Sequence, residues 1–330
     1  MHKLVVVGDI HLQKSEPKCS NALDTLDWIF RQDFNNGDNS LLILGDLCEV
    51  NSLPELYEVY VDYFVNKSSF EQIYILQGNH DCVNQSTILS IFRPLPKVKV
   101  ITSWDIVRFY NCNLLMLPYY NHEGTGLGSM VEVYSHLYEN EEIKSTNIDF
   151  GFGHLEDATN HFSKKFCDTS KLKVGHWFNG HIHVNDSMNN GNYLGSACMN
   201  SVTESGHKRY ILEIDGETKE FKHTELPAFM EYYEVEYPNK LEKISTRYGI
   251  FLVRNAIDKN LALEEYSRQA EELGFDFYAR RVLRKNVKEV EVSDTERTER
   301  LTFEDFVRST KLDNDVADAC REVVKLKNEE

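Results

Sequence analysis

No apolar stretch in the 330 residues approaches the ~20 that a helix needs to cross a bilayer, so a membrane-spanning helix is excluded. Met1 leads almost directly into the apolar stretch Leu4–Val7, too short for the core of a secretory signal, and no signal peptide is expected. Cysteine pairs are missing too. The seven cysteines (Cys19, Cys48, Cys82, Cys112, Cys167, Cys198, Cys320) are scattered and never spaced C-x-x-C. That argues against a disulfide framework or a zinc finger and for reduced thiols in a cytoplasmic compartment. Positive charge is in short supply: 36 basic against 53 acidic side chains leave a formal charge of −17. Such a balance speaks against a surface that grips nucleic acid over its whole extent, while a local basic patch or a cleft made positive by metal stays open. Repeats and low-complexity segments are also absent. What is present is an ordinary soluble composition, 41% hydrophobic and 27% charged, on a chain long enough for two domains.

Short β-branched runs alternate with helical patterns over the first two-thirds. Leu4–Val7, Leu41–Leu44 and Ile73–Leu76 read as strands, each ending at a polar or glycine-containing turn. Asn21–Phe34 carries Leu23, Leu26, Ile29 and Phe30 at helical spacing behind Ser20 as N-cap, and Pro54–Phe64 repeats the pattern with Leu56, Val59, Tyr60 and Tyr63. This succession predicts an α/β layer architecture, in which ligands gather where strand carboxyl ends meet loops. Shorter strands follow: Lys97–Ile101, Asp105–Phe109, Leu114–Leu117, Ile148–Phe152, Trp177–Asn179, Asn192–Leu194, Lys208–Ile214 and Lys219–Thr224, with a helix over Ser129–Asn140. A boundary is expected near Pro227, giving a first domain over 1–226. Tyr232–Tyr237, Gly249–Arg254, the helix Leu261–Leu273 and Phe277–Leu283 then make a small α+β unit over 227–285. A charged linker and two amphipathic helices, Phe303–Ser309 and Asp315–Leu326, fill 286–330.

The informative residues stand at strand exits. Asp9 and His11 follow the first strand in Gly8-Asp9-Ile10-His11; in extended chain such an i, i+2 pair would face one cation together. Asp46 follows Gly45 after the second strand, and Gly78-Asn79-His80-Asp81 follows the third. His154 comes after Gly153, and Gly180-His181-Ile182-His183 closes the series with a second i, i+2 pair. Asp46 alone or His154 alone reads first as a turn residue, whereas the four fixed polar or glycine residues of Gly78-Asn79-His80-Asp81 exceed what a turn requires. Their value lies in the set, where every one sits at the end of a strand.

Asp9, His11, Asp46, Asn79, His154, His181 and His183 offer oxygen and imidazole nitrogen but no thiolate. Seven ligands exceed the needs of one ion and suit two if a carboxylate bridges. Mixed carboxylate and imidazole ligation fits manganese, iron or zinc at a catalytic site. Two cations ~3.5–4 Å apart form the clamp used for in-line displacement at phosphorus.

In this order, D-x-H, G-D, G-N-H-D, G-H and G-H-x-H resemble the calcineurin-like metallophosphoesterase superfamily over about the first 200 residues. The resemblance implies a metallophosphoesterase α/β/β/α sandwich with a small α+β capping domain and C-terminal helices. It implies that Asp9, His11, Asp46 and His183 hold one divalent ion, and that Asp46, Asn79, His154 and His181 hold the other. Manganese is the first expectation, with magnesium, iron or zinc as alternatives. His80 would protonate or stabilise the leaving oxygen, and Asp81 would orient His80. Leu117-Pro118-Tyr119, Tyr193-Leu194-Gly195-Ser196 and Glu204-Ser205-Gly206-His207-Lys208 further resemble the SbcD-type exonuclease subunit of double-strand-break repair, particularly its short bacteriophage versions. Arg209 and Cys48-Glu49 depart from that pattern.

The resemblance makes the expected function a dinuclear-metal DNA nuclease, exonuclease or endonuclease, in repair or recombination. It would work as a homodimer with an SbcC-type coiled-coil ATPase docked on the terminal helices, in the cytoplasm or, for a phage protein, that of the host. His122, Lys208 and Arg209 are expected substrate contacts. Lys164-Lys165, Lys171, Lys173 and the Arg280-Arg281…Arg284-Lys285 cluster read first as solvated charge. Two other readings stay open: a metallophosphoesterase acting on a nucleotide or other small phosphodiester, and a scaffold that keeps the fold without catalysis. Asp-Arg-Gly and G-N-H-E, the marks of phosphoprotein phosphatases, are absent.

Overall fold

Leu4 and Val6 face one side of the first strand, Val5 and Val7 the other, and all four are buried. A period-2 strand apolar on both faces belongs inside a sheet covered on both sides. The computed structural model describes residues 2–83, 86–120, 130–155, 167–188 and 190–284. His122, Lys164-Lys165 and both expected C-terminal helices lie outside the described residues. Met1–Lys285 form one compact unit, and the second, Asn286–Glu330, lies outside them too.

The chain begins β1 (Lys3–Val7), α1 (Lys18–Phe30), β2 (Ser40–Leu44) and α2 (Leu53–Val59), the last continued by a π-helical segment Tyr60–Lys67. Next come β3 (Gln72–Leu76), the small hairpin β4 (Cys82–Val83) and β5 (Ser86–Thr87), then β6 (Val98–Ile101), β7 (Asp105–Phe109) and β8 (Cys112–Leu117). Helices α3 (Met130–Tyr138) and α4 (Glu141–Ser145) precede β9 (Ile148–Gly153), β10 (Val174–Asn179), β11 (Asp186–Met188) and β12 (Gly191–Tyr193). The remainder is β13 (Arg209–Asp215), β14 (Phe221–Leu226), β15 (Met230–Glu236), β16 (Tyr248–Ala256), α5 (Lys259–Leu273) and β17 (Asp276–Arg284).

Two six-stranded sheets result, β14-β13-β1-β2-β3-β6 and β11-β12-β10-β9-β8-β7. Leu4, Val6, Leu42, Leu44 and Leu76 of the first meet Val107, Leu114, Met116, Phe150, Phe152 and Phe178 of the second in one apolar layer. The outer face of the first sheet packs Val5, Val7, Leu41 and Ile43 against Leu26, Ile29, Leu56 and Val59 of α1 and α2. That of the second packs Leu115, Leu117, Ile148 and Trp177 against Tyr134, Leu137 and Ile143 of α3 and α4. The layers therefore run α/β/β/α, as the motifs imply. Among the described residues, no helix is long and apolar enough to cross a membrane.

Two local expectations change. Ser20 is not the N-cap of α1: the helix starts at Lys18, Pro17 is its N-cap, and Ser20 lies inside the first turn. The expected helix over Pro54–Phe64 changes winding at Tyr60, and this brings Tyr60 and Phe64 onto Phe92 with ring centroids 5.9 and 4.7 Å away.

In the parallel sheet β15-β16-β17, α5 buries Ala262, Tyr266 and Ala270 against Phe251 and Val253. Asp258 caps α5 by accepting from Asn260 N and Leu261 N, and Gly274 ends it at φ +80°. This small unit is fastened to α1, where Asp24 accepts from Arg247 at 3.0 and 3.1 Å and from the Tyr248 hydroxyl at 2.9 Å.

Candidate metal centre

β1, β2, β3, β9 and β10 all run toward the same end of the sandwich, and each delivers one motif there. Parallel pairing of β1 with β2, β2 with β3 and β9 with β10 aligns the strand ends. Backbone bonds then knit the loops: His11 N donates to Asp46 O (2.8 Å), His154 N to Leu117 O (3.0 Å) and Gly180 N to Gly153 O (2.9 Å). The i, i+2 pairs are not extended, contrary to the sequence expectation. Asp9, His11, Asp46 and His181 all have positive φ, 31°, 51°, 46° and 73°, so the chain turns sharply at the exits of β1, β2 and β10. Such left-handed residues are costly outside glycine and gather at functional sites.

Glycines give the loops room to converge. A Cβ on Gly45, itself at φ +86°, would lie 2.1 Å from His154 Nδ1, and one on Gly78 would lie 2.1 Å from Asp46 Oδ1. Both positions exclude any side chain.

All seven expected ligands come together. Asp9, His11 and His183 place ligand atoms within 4.8 Å of one another, and so do Asp46, His154 and His181. Asn79 Oδ1 joins the second set, 3.0 Å from His154 Nε2 and 2.9 Å from His181 Nδ1. Asp46 Oδ2 lies between the sets, 3.2 Å from His154 Nε2 and 3.5 Å from His11 Nε2. Its Oδ1 is occupied by the His80 backbone N–H at 2.8 Å.

Two observations show that this arrangement fits cations. Asp9 Oδ2 is buried without a hydrogen-bond partner among the described residues, a costly state for a carboxylate oxygen. Second, His11 Nδ1 is bonded to Glu49 Oε1 and His183 Nδ1 to Glu204 Oε1, each at 2.9 Å. A carboxylate accepts, so each Nδ1 carries the hydrogen and each Nε2 presents a lone pair. Those two Nε2 atoms face each other at 3.0 Å. Two lone pairs at that distance repel unless a proton or a metal ion lies between them.

A third imidazole completes the picture. His80 Nδ1 is 2.9 Å from Glu49 Oε2, so Glu49 holds His11 with one oxygen and His80 with the other. The resemblance assigns the orienting role to Asp81, but its fully buried carboxylate accepts instead from Gly78 N (2.8 Å) and Cys48 N (3.1 Å) and braces the two loops. In the sequence, Glu49 reads only as a departure from the family pattern and Glu204 only as part of a turn. Both lie on the far side of ligand histidines, the second layer that fixes tautomer and ring angle. They also add two negative charges, so a pair of divalent ions is balanced here rather than in excess.

Residues 2–212 match the calcineurin-like phosphoesterase family. The chain belongs to that family. Its members are metallophosphoesterases, hydrolases with a dinuclear metal centre, and the His and Asp clusters offer the ligands. A solved structure described as a novel archaeal phosphodiesterase is similar over 68% of this chain and 99% of that chain, at 14% identity and a TM-score of 0.37. No curated protein matches the chain.

In this phosphoesterase the carboxylates and imidazoles of the cluster shift one another strongly. Burial works against the Asp46 carboxylate, yet His154, His11 and His80 hold it well below the usual range. Burial equally disfavours charge on His154, but Asp46 and Asp9 raise it to about 10. Burial raises Asp9, with Asp46 adding to it and His154, His183 and His11 opposing. Hydrogen bonds from His11 and His80 hold Glu49 at about 2, and Glu49 in turn raises His80. Burial and the nearby Asp46 push Asp81 up to about 7.

The remaining candidates lie elsewhere or pair locally. Exposed Lys208 bonds Glu225 at 2.8 Å. Arg209 is buried and donates to His207 O at 3.3 Å, so it holds the turn rather than presenting a free cation to substrate. His176, which also follows a glycine but is not one of the expected ligands, packs on Phe178 and bonds Asn192 at 3.2 Å.

Proposed function

We propose that the protein is a dinuclear-metal phosphodiesterase acting on DNA, a nuclease subunit of the SbcD type. Asp46 carries the reading: one buried carboxylate oxygen lies within 3.5 Å of imidazole nitrogens in both ligand sets. Asp9, His11, Asp46 and His183 would hold one divalent ion, and Asp46, Asn79, His154 and His181 the other. Ions held there would supply charge neutralisation for phosphoryl oxygens and a nucleophile at neutral pH.

The chain's own residues do the rest. Glu49 fixes the hydrogen on His80 Nδ1 and favours the doubly protonated form of this half-exposed imidazole, in which Nε2 also carries a hydrogen. As water attacks phosphorus, the bond to the leaving sugar oxygen breaks and His80 Nε2 gives that oxygen its proton. Asp81 keeps the Gly78-Asn79-His80 turn pressed onto the Asp46 loop. DNA rather than a small diester is favoured by the small unit beside α1 and by the Leu117-Pro118-Tyr119 and Tyr193–Ser196 segments. A homodimer, and an SbcC-type ATPase docked on 286–330, complete the proposal.

End-labelled single- and double-stranded DNA, incubated with manganese, magnesium or chelator, tests it. Metal-dependent cleavage is expected. Turnover of a generic diester reporter with no action on any DNA would replace the nuclease by a small-molecule phosphodiesterase.

A further inference from the structure

The segment Met199–Ser205 touches the metal centre at one end of its turn and the small unit at the other. Glu204, 3% exposed, receives His183 Nδ1 and Ser201 Oγ on Oε1 and Asn200 N on Oε2, each at 2.9 Å. Every partner is a donor, so the carboxylate has one orientation and His183 one tautomer. The adjacent Ser205 donates to Glu231 Oε1 at 2.8 Å and lies 3.3 Å from Tyr232 O, both on β15. Met199, 1% exposed, is packed with Met230, Tyr232, Tyr248 and Ile250 of the small unit. A 3₁₀ turn over Val202–Glu204 closes the segment, and His207 N returns to Glu204 O at 3.2 Å. A shift of β15 is thus one peptide unit away from the group that aims a metal ligand.

We propose that Glu204 is a positioning residue for His183, and that Ser205 and Met199 make its hold depend on how the β15–β17 unit is seated. The small unit is then part of the metal centre's scaffold. Removing a carboxylate behind a ligating histidine typically costs ~10–100-fold in metal affinity. Glutamine at position 204 still offers one acceptor to Nδ1 and should lose less. Ser205 touches no ligand, so any effect of its hydroxyl on metal must pass through Glu204.

The inference rests on the two-metal reading, and calorimetric titration of chelator-stripped full-length protein with manganese separates the two. The wild type, Glu204→Ala, Glu204→Gln, Ser205→Ala and the double variant Glu204→Ala/Ser205→Ala are compared, with folding checked by circular dichroism. Fewer than two ions on the wild type removes both readings. With two, Glu204→Ala should weaken one ion ~10–100-fold and spare the other, with Glu204→Gln in between. Ser205→Ala should weaken the same ion and add nothing further in the double variant. Wild-type affinity at both ions in Glu204→Ala, or in Glu204→Gln should the alanine variant not fold, overturns the positioning role. A Ser205→Ala variant that loses thermal stability but binds both ions normally, or whose loss adds in full to that of Glu204→Ala, overturns the coupling.

Discussion

Glu49 is the side chain on which the ligand set and the proton donor meet, and its removal has a calculable signature. Oε1 holds His11 and Oε2 holds His80, each at 2.9 Å. In Glu49→Ala, His11 loses the group that fixes its tautomer, a loss of ~10–100-fold in metal affinity, or about 1.4–2.7 kcal/mol. His80 loses its anchor as well, and positioned general-acid catalysis is worth ~10²–10⁴-fold in rate. At saturating metal, kcat should therefore fall by at least ~10²-fold. The pH profile has a definite sign. Glu49 raises His80 by favouring its charged form, so the acid is lost as pH rises through that raised value. Without Glu49 the alkaline fall in kcat should move to lower pH. Glu49→Gln should lie between, because an amide has one acceptor oxygen and can serve one of the two rings. The assay is kcat against pH on a diester reporter and on DNA, with metal affinity measured alongside. Unchanged kcat, metal affinity and alkaline limb in Glu49→Ala would refute this account of the site.

Other outcomes follow from the same geometry. His80→Ala should abolish cleavage while the protein stays folded and binds two ions; retained cleavage would remove His80 from the proton-donor role. Gly78→Ala would bring a Cβ 2.1 Å from Asp46 Oδ1 and 2.2 Å from Asp46 N, and such overpacking costs ~1–3 kcal/mol. Its thermal midpoint should drop and its metal affinity with it, whereas a midpoint and affinity equal to wild type would show that the two loops do not need to be this close. Acid should strip the metal, since protons and cations compete for imidazoles that Asp46, Asp9 and Glu204 favour in the charged form. Calorimetry in paired buffers should record proton release on binding, and an affinity independent of pH would count against imidazole ligation.

Much of this architecture was legible because parallel strands buried on both faces leave unbroken apolar runs, and because the chain must turn where those runs stop. Gly45-Asp46, Gly78-Asn79-His80-Asp81 and Gly180-His181-Ile182-His183 are legible as a set, each at the end of such a run. What the pattern misread was local geometry. Asp9 and His11 were expected to share a face in extended chain, but they meet their partners through left-handed turns. Such turns follow from tertiary crowding that no periodicity encodes. Glu49 and Glu204 escaped for a related reason. Glu49 matters through ring nitrogens on residues 38 and 31 positions away, Glu204 through one 21 positions away, and a lone acid near a turn carries no signal of that. The burial of Arg209 was equally invisible, since a basic residue beside a glycine turn reads as exposed.

The central claim is that two cations share Asp46. Crystals of the chelator-stripped protein soaked in manganese and measured at the metal's absorption edge test it most directly. The account predicts two anomalous peaks, one among Asp9, His11 and His183, the other among Asn79, His154 and His181, with the Asp46 carboxylate touching both. A single peak, or peaks away from Asp46, would contradict it.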